Sequence, residues 1–80
     1  MTLNDAVALR IKRLLKERNM TAYRLERNGD ILHGSLNNVL SGKNKTVTLT
    51  MIYKIARGFD MTAHEFLDDD LFRSEDLEID

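Results

Sequence analysis

A chain of 80 residues has room for one small domain around one core. It contains no Cys, which excludes disulfides and thiolate metal sites and fits a reducing cytoplasm, and no apolar run approaches the roughly 20 residues that span a bilayer. The start of the chain lacks a basic stretch followed by an apolar run, so no signal peptide is expected; no Pro and 31% charged residues point to an all-α domain. The net charge of −1 conceals a division. Residues 1–67 hold 11 of the 12 Lys and Arg and 6 of the 13 Asp and Glu, a net +5. Residues 68–80 hold the remaining Arg and 7 acids, a net −6. A basic body, residues 1–67, and an acidic tail, residues 68–80, suggest a nucleic-acid partner more strongly than the total argues against one.

The first helix is expected over residues 4–18. Val7, Ile11, Leu14 and Leu15 make its apolar face, extended by Leu3, and Arg10, Lys12, Arg13, Lys16 and Arg18 occupy the rest. Those cations suit either a solvated face or a phosphate backbone. Asn19 is the expected stop. Thr21 then suits the N-cap of a second helix, with Met20 and Leu25 at the two positions of a hydrophobic staple. This helix is short and ends near Asn28-Gly29. The pair is also a hairpin signal, but neither flank alternates and helical spacing resumes at Ile31. Two helices joined by a tight turn are therefore expected.

Residues 31–42 are the most telling stretch. Leu32, Leu36, Val39 and Leu40 recur at the spacing of one apolar helix face, and His33, Gly34, Asn37, Asn38 and Ser41 fall on the rest. The outer face is polar yet uncharged. Asn is a poor helix former because its amide competes for backbone groups, so two in succession suggest another use. An amide places a donor beside an acceptor, which suits the N6/N7 edge of adenine in the major groove. Gly42 supplies a residue free to take positive φ at the helix end, and Lys43 and Lys45 follow at once. A polar helix ending in lysines is a candidate DNA-recognition helix.

Residues 45–50 alternate like a strand, but the run is short and reads as an extended connection. Met51, Ile52, Ile55, Ala56 and Phe59 make a fourth helical face ending near Gly58. Thr62 and Glu65 form a capping box for a fifth helix, with Met61 and Phe66 as its staple. In the tail, Leu71, Phe72, Leu77 and Ile79 are too apolar for a purely solubilising segment. Three fates are open to it: competition with phosphates for the body's cations, docking on a second subunit, or a solvated end. His33 and His64 have no carboxylate cluster at ligand spacing, so no metal is expected. His33 and Ser35 point to different faces and make no nucleophile–base pair. No enzyme and no cofactor are expected.

Thr21, Leu25, Ile31, Ser35, Leu36, Val39 and Gly42 keep the spacing of the Cro/C1-type (XRE) helix-turn-helix family, and residues 50–62 are similar to that family's fourth helix and its link to the fifth. The resemblance covers residues 7–67. It implies a five-helix, lambda-repressor-like domain that binds double-stranded DNA, usually as a homodimer on a palindromic operator. It implies base contacts from His33, Gly34 and Asn38, with Asn37 more peripheral and Leu32 counted with them. Ala22, Tyr23, Ser35, Ser41, Lys43 and Lys45 are the implied phosphate contacts, which position the protein while the base contacts specify sequence. The chain departs from the family at several places. Glu26 stands where a small residue is usual, Asp30 where the turn glycine is expected, with Gly29 one place early, and Leu32 in place of the Ser or Thr cap, leaving Asp30 as a substitute cap. Leu15 and Leu40 replace a buried Arg–Glu pair between the first and third helices. Two functions follow: a transcriptional regulator, expected to be a repressor, or a protein-interaction module of the same fold, such as an antitoxin using its acidic tail.

Overall fold

In the computed structural model, which describes residues 1–79, four of the five helices start on a threonine hydroxyl. Thr2 caps α1 (Leu3–Glu17), Thr21 caps α2 (Ala22–Gly29), Thr48 caps α4 (Leu49–Gly58) and Thr62 caps α5 (Ala63–Leu67). Each hydroxyl accepts the N–H three residues on, at 3.0 to 3.1 Å. Only α3 (His33–Ser41) lacks a side-chain cap. Such a bond contributes about 1 kcal/mol, which matters to helices too short to persist alone. Thr2 and Thr62 make the bond reciprocal, with Asp5 and Glu65 returning a carboxylate to the cap N–H. The Thr62 N–H, and then its hydroxyl, hold the Glu65 carboxyl below the usual glutamate range.

The helix ends are equally uniform. Asn19, Asp30, Gly42 and Asp60 have φ of 53°, 54°, 79° and 57°, the left-handed region, just after α1, α2, α3 and α4. The N–H of the following residue then reaches back to the last turn: Met20 to the Leu15 carbonyl at 2.8 Å, Ile31 to Glu26 at 2.9 Å, Lys43 to Asn38 at 3.1 Å and Met61 to Ala56 at 3.0 Å. This is the Schellman arrangement. Three of the four positions use Asn or Asp, the residues after glycine that best tolerate this geometry.

The fold is all-helical, as expected, with a single 3₁₀ turn at Asp70–Phe72 after α5. Several boundaries differ from the sequence reading, with α1 ending at Glu17 and α3 beginning at His33. Thr2 starts α1 one residue earlier, and Thr48 starts α4 two residues before its apolar face begins. The core is wholly apolar among the described residues, with Ile11, Leu25, Leu36, Ile55, Phe59 and Phe66 fully buried. Each such side chain stabilises by about 1.5–3 kcal/mol. Leu15 and Leu40 are half-buried and pack against this core from α1 and α3.

Gly29 and Gly58 set the crossing of α2 and α4. A Cβ on Gly29 would lie 2.5 Å from the Lys54 carbonyl oxygen, and one on Gly58 would lie 2.6 Å from Leu25 Cδ1 and 3.0 Å from the Leu25 carbonyl. The two backbones touch, so neither position has room for a side chain. The sequence reading took Gly29 for a displaced turn glycine. Its φ is not positive; Asp30 makes the turn, and Gly29 serves the crossing.

Arg10 fastens the end of the domain. Its guanidinium is 12% exposed and donates to the Phe66 carbonyl at 2.8 Å, the Glu65 carbonyl at 3.2 Å and Asp69 Oδ2 at 3.1 Å. It also lies over the Phe66 ring, 5.7 Å from the centroid. Arg18, exposed, also reaches back to the fold, donating to the Phe59 carbonyl and lying over that ring. These two cations of α1 serve the fold. Beyond α5 the chain folds back: Phe72 stacks at a tilt on Phe66, 6.2 Å away, and the Leu3 N–H donates to the Glu78 carbonyl at 2.8 Å. Asp80 lies outside the described residues.

Two outcomes test this packing. Arg10→Ala should lower the unfolding free energy by about 2–3 kcal/mol in urea titration, because it leaves two carbonyls and a carboxylate without their charged donor. Arg10→Lys should recover little, since a single ammonium cannot reproduce the guanidinium fork. Gly29→Ala should cost about 1–3 kcal/mol in the same titration, the clash with Lys54 outweighing any gain in helix propensity.

Candidate nucleic-acid interface

The third helix is held from one side only. Leu36 and Val39 are buried, Leu40 is half-buried, and Ile31 anchors the turn that leads in. Leu32 does not share that face. It precedes the helix with extended backbone (φ −66°, ψ 139°), so helical spacing does not apply to it, and it is 78% exposed while Ile31 takes the buried place. Asp30 is not the substitute cap either. It completes the left-handed turn after α2, and no side chain caps α3.

The opposite face of α3 carries the expected residues. His33, Gly34, Asn37 and Ser41 are exposed, and Ser35 and Asn38 are half-buried. His33 is not wholly free, because its Nδ1 lies 2.8 Å from Glu26 Oε2 on α2. Gly34 has no positive φ, and a Cβ built on it meets nothing within 4 Å. Neither backbone geometry nor packing requires glycine there, although it costs up to about 1 kcal/mol of helix stability relative to Ala.

Lys43 and Lys45 follow α3 exposed, in a loop tied to α1 by the Asn4 amide, which donates to the Asn44 carbonyl at 2.8 Å. On α2, Tyr23 is exposed, whereas Ala22 is half-buried against the core and offers outward mainly its backbone. The sequence reading passed over Arg24 and Arg27. Both are exposed and line a polar cleft with Thr21, Tyr23 and Asn28. Arg27 donates to the Tyr23 hydroxyl at 3.0 Å and lies 5.9 Å from the ring centroid, which orders its long side chain. The signal was available: Tyr23 and Arg27 are four apart, on the side of α2 away from Leu25. Among the described residues, none of Arg24, Arg27, Lys43 and Lys45 makes a salt bridge.

The surface is therefore an uncharged polar helix flanked by two pairs of cations without carboxylate partners. Cations of this kind suit a polyanion, and an uncharged donor-and-acceptor face suits base edges. No group of three His, Asp or Glu is placed to hold a metal among the described residues, and no helix is long and apolar enough to cross a membrane. No curated protein and no solved structure matches the chain. The model of the Cro/C1-type HTH DNA-binding domain matches residues 10–70, most of the chain, and the chain belongs to that DNA-binding family.

Proposed function

We propose that this protein is a sequence-specific transcriptional regulator of the cytoplasm, a repressor that reads the major groove with α3 and binds a palindromic operator as a homodimer. In this reading Asn38 and His33 address base edges, with Asn37 and Leu32 at the margin and Gly34 letting the helix approach closely. Ser35, Ser41, Lys43, Lys45, Tyr23 and the backbone at Ala22 hold phosphates, and Arg24 and Arg27 join them. The observation that carries the reading is Gly34, an exposed helical glycine that neither strain nor packing explains. A glycine on such a face has its natural use where another backbone or a ligand comes close.

A second surface supports self-association. Leu3, Leu49, Leu67 and Ile79 are exposed apolar side chains around one cavity of about 520 Å³ between α1, α4 and the tail. The same apolar wall also favours the alternative, an antitoxin or other interaction module that binds a protein partner through this face. Selection from randomised duplexes separates the two. Enrichment of paired inverted half-sites is expected, and no enrichment of any sequence would sink the DNA reading.

Three sets of variants give sharper outcomes. Asn38→Ala should blur preference at one base position and cost about 1–3 kcal/mol on the enriched site. Lys43→Ala or Lys45→Ala should instead weaken all sequences alike and reduce the slope of log K against log salt by about one unit, measured by fluorescence anisotropy. Gly34→Ala should raise stability by up to about 1 kcal/mol while weakening the enriched site roughly tenfold or more. A variant more stable than the parent and equally tight on DNA would remove the case for close approach.

A further inference from the structure

The contact between His33 and Glu26 has a chemical consequence for what α3 can read. His33 is the first residue of α3, and its side chain is 83% exposed. Glu26, on α2, is 11% exposed and its Oε2 lies 2.8 Å from His33 Nδ1. Among the described residues only that side of the imidazole is engaged. An ionised carboxylate accepts hydrogen bonds and cannot donate them. The shared hydrogen must then sit on Nδ1, and this decides the other nitrogen. In a neutral imidazole with hydrogen on Nδ1, Nε2 carries a lone pair and is an acceptor. Imidazole side chains in water favour the opposite tautomer, with hydrogen on Nε2, so the carboxylate changes what the exposed nitrogen offers.

We propose that Glu26 is a positioning residue for recognition, one that fixes the Nδ1–H tautomer of neutral His33 and turns its exposed Nε2 into a hydrogen-bond acceptor toward the bases. The inference rests on the proposed function and deepens it by naming the base chemistry. In the major groove, adenine presents an N6 amino donor and cytosine an N4 amino donor, while guanine presents only acceptors at N7 and O6. An accepting Nε2 therefore selects adenine or cytosine over guanine at one operator position. Metal-bound histidines show the same principle, a partner on one ring nitrogen setting the behaviour of the other. A carboxylate beside the phosphate backbone would by itself repel DNA. Partial burial of Glu26 and its hydrogen bond to the ring let it remain there.

The test has a spectroscopic arm and a selection arm, both on the full chain at about pH 8.5, two units above the ordinary histidine pKa of about 6.5. Long-range proton–nitrogen correlation spectra should show His33 protonated at Nδ1. His64, for which the structure gives no side-chain hydrogen bond, is the internal reference. Glu26→Ala and the equal-sized Glu26→Gln, whose amide can donate as readily as accept, should both lose the fixed Nδ1–H pattern, with melting curves to confirm that they fold. In randomised-site selection the wild type should favour adenine or cytosine over guanine at one position by roughly fivefold, the worth of about one hydrogen bond. Both variants should lose that preference and keep the rest of the site. A wild-type His33 protonated at Nε2 overturns the proposal. So does an Nδ1–H tautomer whose loss leaves base preference unchanged. If the wild type enriches no sequence, the proposed function itself has failed, and this inference falls with it.

Discussion

The backbone contact between α2 and α4 is the constraint on which the rest of the structure depends. Gly29 lies against the Lys54 carbonyl and Gly58 against Leu25, and the Asn28 amide reaches the Gly58 carbonyl at 3.4 Å. With α2 pressed onto α4, its last residue has a fixed position, and the chain must reverse within Asp30 and Ile31 to bury Leu36. Asp30 takes the left-handed conformation and Ile31 drops into the core. The angle at which α3 presents its outer face is thus set from behind. A helix of nine residues would not persist alone; the geometry of α3 is borrowed from the α2–α4 crossing.

The absence of a cap on α3 belongs to the same logic. Leu32 leaves the first N–H groups of the helix without side-chain partners, whereas the other four helices spend a threonine there. Open N–H groups with a positive dipole end are the natural complement of phosphate oxygens. Stability surrendered at Leu32 and Gly34 is recovered at the far end, where Gly42 closes α3 and the Lys43 and Asn44 N–H groups both return to the Asn38 carbonyl. The helix is uncapped by any side chain where it begins and secured where it leaves.

Much of this was readable in the residues. Thr21, Asn19, Gly42 and the Thr62–Glu65 box each announce a helix end through local chemistry, and the apolar spacing locates Ile11, Leu36 and Ile55 without tertiary information. The misreadings share one cause. Leu32 looked buried because periodicity was extended one residue past the true start of α3, and periodicity says nothing about a residue in extended conformation. Gly29 was assigned to a turn because glycine marks turns and close approaches alike, and only the partner helix separates the two. Arg10 and Arg18 looked like surface cations since their acceptors are the carbonyls of Phe66, Glu65 and Phe59, distant in sequence. Glu26 stood out as a departure, but its partner seven residues later became visible only once the turn had brought α2 and α3 together.

The charge division takes on a different meaning once the tail is placed. Asp69 is tied to Arg10 and caps the Leu71 N–H; Asp68 and Asp70 both hold Arg73; Glu78 faces the amino terminus at 3.9 Å. Of the body's lysines and arginines only Arg10 is paired to a tail acid among the described residues. Asp69 is held on α1, and Asp68 and Asp70 are paired within the tail, while Arg24, Arg27, Lys43 and Lys45 make no salt bridge among the described residues. Attraction between exposed charges fades over a Debye length of about 8 Å at physiological salt. A chain of net charge −1 can therefore present a positive face to a polyanion, provided its negative charge is fixed elsewhere. Arg10 does part of that fixing: the residue that stabilises the end of the fold also holds Asp69 of the tail.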